Sequence, residues 1–451
     1  MKTGRPRRKI LAVACLFLLP VLAFWAWARF TPCPHPMEGL SFSRVICDRD
    51  GAPMRIGLTP DEKYRIRTRL EDIPKEAIDA VIRYEDRWFW QHPGVNAASL
   101  LRAGLAMARG GRVMGGSTLT MQVARLALGL RTGSMRDKLL QIAWAFKLEQ
   151  HFSKAEILEC YFNMAPYGGN VEGLAAAAMV YFHKAPSRLT PSESMVLMLV
   201  PQNPAARRPS QGNARLAQAA ARLQEAWTGE REHAPLRVYG AREMPFACPH
   251  LSGELLTRED LSGQVISTID RRQQDLLEQH LTRFAARGRS VGLSNAAALL
   301  VHWPTVEVRA LAGSAGFGDS AISGQIDGTR ARRSPGSTLK PAIYALALDQ
   351  GLIHPRTMLA DMPRSFSGYD PENFDSAFRG PLHADEALRL SRNLPALTLA
   401  ARLAPPGLYG FLREAGFAFE KSEEHYGLSL VLGGAEVTMR ELAALYAALP
   451  N

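Results

Sequence analysis

The sequence predicts a multi-domain chain: an N-terminal transmembrane helix, then a mostly α domain, then an α+β domain. Three observations lead there. Residues Ile10 to Ala28 are uncharged and mostly apolar. From Pro74 to about Pro201, apolar residues recur at helical spacing, as in Leu139, Ile142, Ala143 and Phe146. Beyond Gln264, Ala297 to Trp303 and Val306 to Ala312 read as two strands joined by a Pro-Thr turn, and helical patterns return at 338–350, 383–390 and 436–448. At 451 residues the chain has room for about two or three domains.

The apolar run is long enough to cross a bilayer core of ~30 Å as a helix. Lys2, Arg5, Arg7, Arg8 and Lys9 precede it with no acid among them, which predicts a cytoplasmic N-terminus. Trp25, Trp27 and Phe30 would mark the far interface. A cleaved signal peptide is the alternative, but the run is long and has no clear small-residue cleavage site, so an uncleaved anchor is expected. Everything beyond it would lie outside the cytoplasm. The net charge is +11, with those five cations supplying part of it. A moderately basic body suits an anionic substrate or a membrane surface, and no nucleic-acid motif is present. Of the five cysteines, Cys33 and Cys47 could pair in an oxidising compartment, though buried or free thiols fit the spacing better. None of the five has metal-ligand spacing.

Ser153 with Glu156, and Thr190 with Glu193, are capping-box signals that start helices within the α region. Residues 203–212, rich in Pro, Arg and Gly, break it. An Ala-rich helix and a Pro-containing stretch follow. The expected division is therefore a basic tail and anchor at 1–32, a helical domain at 33–205, a linker at 206–262 and an α+β domain at 263–451.

The chemistry concentrates in a few runs. Glu85-Asp86-Arg87-Trp88-Phe89-Trp90-Gln91-His92-Pro93-Gly94 sets two acids among aromatics. A carboxylate whose proton affinity is raised by an apolar or like-charged setting can take a proton from an attacking hydroxyl, which points to Glu85. Asp86 and His92 are candidates for holding substrate beside it. In Gly115-Gly116-Ser117-Thr118-Leu119-Thr120-Met121-Gln122 the glycines permit close backbone approach, and Ser117 is placed to cap the following helix. Thr118, Gln122 and Arg125 share one helical face, a setting that suits a phosphate-bearing ligand. A third run, Arg136 to Glu149, adds Lys138 and Lys147 with Gln141 between them. A fourth, Lys154 to Asn163, carries Glu156 and leads into Tyr167-Gly168-Gly169-Asn170.

In this order, residues from about 75 to 205 resemble a family 51 peptidoglycan glycosyltransferase. The resemblance implies a lysozyme-like helical domain that polymerises lipid II, a disaccharide-pentapeptide on a polyprenyl diphosphate, onto a nascent glycan strand. It implies that Glu85 is the catalytic carboxylate, that Ser117, Gln122, Arg125 and Lys138 lie near the diphosphate, and that Glu156 is a further site carboxylate. A Mg²⁺ or Mn²⁺ ion could screen the diphosphate, with no tightly bound cofactor and no protein ligand cluster calling for one. The family commonly has a second Glu where this chain has Gln141. An amide cannot ionise, yet a diphosphate leaving group needs neutralising charge more than a proton. This glutamine and Asn163-Met164-Ala165-Pro166-Tyr167-Gly168-Gly169 resemble the penicillin-binding protein 1C subgroup.

In the α+β region, Ser334-Pro335-Gly336-Ser337-Thr338-Leu339-Lys340-Pro341 holds Ser-x-x-Lys, which sets Ser337 and Lys340 on one helical face. A neutral Lys340 could take the Ser337 proton. With Ser391-Arg392-Asn393 further on, the region resembles penicillin-binding transpeptidases and serine β-lactamases. Ser337 and Lys340 would be catalytic, Ser391 and Asn393 would bind substrate, and stem peptides and β-lactams would be ligands. A third box, Lys-Thr-Gly on a strand, is expected after Val431-Leu432-Gly433-Gly434 but does not occur before Asn451. The only Lys-Thr-Gly is Lys2-Thr3-Gly4, before the anchor. The acyl-transfer domain is accordingly expected to be incomplete. Two other functions fit the residues. A lysozyme-like muramidase would also use a lone Glu but has no use for cations facing a diphosphate. A scaffold or penicillin sensor would have lost glycosyl transfer with the change to Gln141.

Overall fold

The structure, a computed structural model, describes residues 19–99, 101, 116–131, 134–210, 212–228, 237–240, 243–366 and 369–449. The basic cluster, the first part of the apolar run and Gly115 lie outside the described residues. Residues 19–30 are helical, but among the described residues no helix is long and apolar enough to cross a membrane. Trp25 and Phe30 are exposed, whereas Trp27 packs edge-on against Trp144. The chain divides into two units, Met1–Cys47 with Gly51–Ala247 and Leu255–Ile266, and Asp48–Asp50 with Cys248–Glu254 and Ser267–Asn451.

The first unit is built on helices α1 (Lys75–Glu85), α2 (Leu119–Ala127), α3 (Met135–His151), α4 (Lys154–Met164), α5 (Leu174–Phe182), α6 (Pro191–Leu199) and α7 (Ala214–Thr228). Both capping boxes form: Ser153 and Thr190 accept from the amides of Glu156 and Glu193, whose carboxylates accept from the cap amides in return. Helix α5 is buried on every side, as its run of Ala residues flanked by large apolar ones dictates. The core joins Val81, Ile82 and Phe89 to Val123, Tyr161, Tyr167, Tyr181 and Leu197. Helix α7 adds Leu216 and Ala220 to this core, so the stretch after residue 206 begins as part of the unit. A small sheet of order β2-β1-β5 pairs β1 (Val45–Cys47) antiparallel with β2 (Pro53–Ile56) and parallel with β5 (Gln264–Ile266). A second pair joins β3 (Tyr64–Arg65) to β4 (Val171–Glu172). Cys33 and Cys47 are not joined to each other by a disulfide.

Helix α3 does not follow the simple stripe its periodicity suggests. Leu139 is 61% exposed, and the buried positions are Gln141, Ala145, Lys147 and Leu148. The reason is that α3 packs on two sides. Ala145 and Ile142 meet Met121 of α2, while Phe146 and Trp144 meet Phe24 and Trp27.

The second unit opens with helix α8 (Arg271–Gly288) lying on a hairpin of β6 (Ala298–His302) and β7 (Glu307–Ala312). Buried Gln274 of α8 reads both backbone groups of Leu311 at 2.8 Å, which pins helix to strand. A second hairpin joins β8 (Met358–Asp361) to β9 (Gly380–His383). Helices α9 (Lys340–Asp349), α10 (Ala384–Arg389), α11 (Asn393–Ala400), α12 (Gly407–Glu414) and α13 (Met439–Ala448) enclose a core that includes Leu339, Ile343, Leu397, Leu412 and Val431.

Candidate active sites

Helix α1 ends at Glu85 because Asp86 leaves helical geometry, with φ −156° and ψ 76°. The Asp86 carboxylate is buried and accepts from the amide of Leu119 at 3.0 Å, the first residue of α2. It also lies 2.9 Å from His92 Nε2. Asp86 and His92 therefore tie the end of α1 to the start of α2. Gly94, at φ +86°, lies so close to α3 that a Cβ would sit 2.6 Å from the carbonyl oxygen of Ala145. Thr118, not Ser117, caps α2: its hydroxyl accepts from Met121 N and donates to Gly94 O. These contacts set Gln122 of α2 opposite Glu85.

Glu85 Oε2 accepts from Gln122 Nε2 at 2.8 Å, and Oε1 is buried without a hydrogen-bond partner among the described residues. Burial foremost pushes the Glu85 carboxyl above its ordinary value, and the Asp86 charge adds to this. Gln122, Gln202 and the Arg207 guanidinium pull the other way, although Gln202 makes no well-formed bond to Oε1. Arg207 fixes that glutamine, donating to Gln202 Oε1 at 3.0 Å and to Leu199 O at 3.0 Å. Tyr161 and Tyr167 are fully buried, and their hydroxyls also lack partners among the described residues. Burial first, and then the Glu85 charge, raises both phenols. Gln202, Arg207 and the two tyrosines are neighbours of Glu85 that the motif runs did not single out. The tyrosines lie within recognised runs, but burial beside Glu85 has no signature in sequence.

Arg125 and Lys138 are both half-buried, and Lys138 Nζ donates to Ser117 Oγ. Burial holds each below its ordinary value, and the Arg125 charge lowers Lys138 further. Among the described residues no carboxylate pairs with either cation. Gln141 is buried in α3. Lys147 is turned toward the helical residues 19–30 instead, donating to Thr31 Oγ1 at 2.7 Å with Trp27 and Trp144 under its ammonium. The Glu156 carboxylate is exposed and accepts from Ser153 N and Oγ, bonds that lower its pKa.

In the second unit, Ser337 is exposed on a 3₁₀ turn, Gly336–Leu339, that runs into α9 at Lys340. Lys340 is fully buried. Its Nζ donates to Ser391 O at 2.6 Å, to Ser391 Oγ at 3.2 Å and to Asn393 Oδ1 at 2.6 Å. Ser391 stands at φ +55°, which turns its carbonyl to the lysine. Burial, and then the nearby Arg392 charge, lower Lys340 to about 8. The segment around Gly433 supports the serine turn. Ser334 Oγ donates to Gly433 O at 2.7 Å, and a Cβ on Gly433 would meet Gly336 N at 2.4 Å. Tyr446 of α13 donates to Thr338 O at 2.8 Å.

Among the described residues no group of three or more His, Cys, Asp or Glu side chains is arranged to hold a metal. Besides Asp86, whose carboxylate is taken up by Leu119 N and His92, the groups gathered near Glu85 are amides, phenols and cations, a poor donor set for a divalent ion.

Two family models match the chain: Transglycosylase over residues 52–227 and Penicillin binding protein transpeptidase domain over 296–451. Penicillin-binding protein 1C of Escherichia coli is 38% identical over 441 residues, 95% of this chain and 57% of that protein. Penicillin-binding protein 1F of Bacillus subtilis is 28% identical, covering 88% of this chain and 58% of the relative. Penicillin-binding protein 2D of the same organism is 26% identical, covering 98% and 66%. The chain thus spans less than two thirds of the length of each of these relatives. With the two domains in this order and this likeness to penicillin-binding protein 1C, the chain belongs to the class A penicillin-binding protein family.

Proposed function

We propose that the first unit is a peptidoglycan glycosyltransferase that polymerises lipid II in cell-wall synthesis. The observation that carries this reading is the buried Glu85 carboxylate bonded to Gln122 of α2, the helix that also bears Arg125, while neither Arg125 nor Lys138 has a carboxylate partner among the described residues. Glu85 takes the proton of the sugar 4-hydroxyl on one lipid II. That oxygen bonds to the anomeric carbon of the growing chain as the bond to the diphosphate breaks, with inversion at that carbon. Arg125 and Lys138 meet the charge that develops on the leaving diphosphate. Ser117 holds Lys138 in place. The Mg²⁺ or Mn²⁺ ion expected at the diphosphate has no ligand set among the described residues.

The second unit is read as an acyl-transfer domain for stem peptides and β-lactams, with Ser337 as nucleophile and Lys340 as its base. The N-terminal apolar run is read as a single-pass anchor in the bacterial inner membrane with the bulk of the chain periplasmic. Trp25 and Phe30, both exposed, fit the outer interface. Incubation with lipid II and, separately, with finished peptidoglycan tests the first reading. Polymer from lipid II and no cleavage of peptidoglycan are expected. Cleavage without polymer would make the unit a muramidase, and neither product would leave a scaffold.

A further inference from the structure

Arg392, the middle residue of Ser391-Arg392-Asn393, is 5% exposed although it is always charged. Its Nε donates to Asp361 Oδ2 at 2.8 Å, its Nη1 to Asp375 Oδ2 at 2.9 Å and its Nη2 to Ala377 O. Asp361, wholly buried at the end of β8, has its other oxygen filled by Asn373 Nδ2 at 2.8 Å. Asn373 in turn accepts from the amide of Asn393 through Oδ1 at 2.8 Å. Asn393 donates its own Nδ2 to Glu372 O at 2.6 Å, which leaves its Oδ1 facing Lys340 Nζ. A continuous set of bonds therefore runs from Asp361 through Asn373 and Asn393 to the lysine, and Arg392 closes it by gripping the Asp375 carboxylate and the Ala377 carbonyl. A side-chain amide has two ends, and which end faces Lys340 decides whether it accepts or repels. The bond from Nδ2 to Glu372 O settles that choice for Asn393, while the bond from its backbone N–H to Asn373 holds the backbone that carries it.

We propose that Asn373 and Arg392 are positioning residues of the acyl-transfer site, holding a strap at 372–377 that fixes the orientation of Asn393 and so the place of Lys340. This rests on the reading that Ser337 is the acylated serine. Removing the Asn373 amide frees the Asn393 backbone N–H and lets the Asn393 side chain turn. The partner buried with it, Asp361, loses one donor but keeps Arg392, so the fold has reason to survive.

The test uses the full chain and a fluorescent penicillin, with binding and acylation separated by saturation kinetics. Thermal unfolding is measured alongside. Misplacement of the base by an ångström or so predicts that Asn373→Ala slows the acylation step roughly tenfold to a hundredfold. The binding constant should change little. Arg392→Lys keeps a charge beside Asp361 but cannot reach three partners, so its loss should be smaller than that of Arg392→Met. Ser337→Ala should take no label. Wild-type acylation rates in folded Asn373→Ala and Arg392→Met would overturn the inference. So would a loss confined to melting temperature, since a purely structural strap would not touch the acylation step. If wild type takes no label, or Ser337→Ala labels equally, the acyl-transfer reading itself fails and the inference falls with it.

Discussion

Glu85 and Lys340 sit in separate units, and both are buried groups read as bases. Burial moves them in opposite directions. It raises the carboxyl and lowers the ammonium, because in each case it disfavours the charged form. Both shifts run toward the pH at which a base is useful. The surroundings then differ. Arg207, an opposite charge, restrains the shift of Glu85, whereas Arg392, a like charge, extends that of Lys340. The hydrogen bonds differ too. Glu85 keeps a buried oxygen without a partner among the described residues, where an incoming proton can sit. Lys340 spends its three donors on Ser391 and Asn393. A neutral amine has only two N–H donors, so Lys340 must give up one contact to act. The 3.2 Å contact to Ser391 Oγ is the longest, and giving it up would free the amine lone pair for the Ser337 hydroxyl. The first site is thus poised as it stands, and the second needs one hydrogen bond to be released.

The comparison breaks most visibly at the cations. Arg125→Ala or Lys138→Ala should lower lipid II polymerisation on the order of 100-fold each, by analogy with the loss of one preorganised donor. Penicillin labelling should be untouched, and a loss of labelling would show that the two sites are not separable. A smaller effect is expected from pH. Lys340 must be neutral to accept a proton, so labelling at Ser337 should fall about tenfold per pH unit as pH drops below about 8. A label rate that is flat from pH 6 to 9, measured by stopped-time gel fluorescence, would remove the lysine from that role. A third effect falls on the scaffold. Gly94→Ala puts a Cβ against Ala145 O at positive φ and should cost about 2–4 kcal/mol of stability. A lower melting temperature with reduced polymerisation is expected, and an unchanged melting temperature would mean that the loop can move.

Much of the first site was legible because its residues come in runs. Glu85, Gln122 and Arg125 lie on helix ends or faces that local spacing reveals, and the two capping boxes are four-residue patterns. Ser117 and Thr118 illustrate the limit: either can cap a helix, and only the Gly94 carbonyl, brought near by the fold, gives the role to Thr118. Gln202 and Arg207 act on Glu85 from just before and within the Pro-, Arg- and Gly-rich stretch 203–212, which reads as a break in the helices. Lys147 looked like one cation among several, yet aromatic residues from 27 and 144 claim it. In the second unit the Ser-x-x-Lys and Ser-x-Asn motifs were plain, as was the β6–β7 hairpin. The strap through Asn373 and Asp361 was not, since it depends on long-range pairing of β8 with β9.

The most direct test of the account is the rate of lipid II consumption against pH, with Glu85→Gln beside wild type. Glu85 must be ionised to accept a proton, and burial raises its pKa. Wild-type activity should therefore be full at neutral pH and fall as pH drops through a midpoint above the ordinary carboxyl value of 4.5. The isosteric Glu85→Gln variant should lose roughly 100- to 10,000-fold and show no such limb. Equal activity in the two proteins, or a wild-type profile without an acidic limb, would contradict the account.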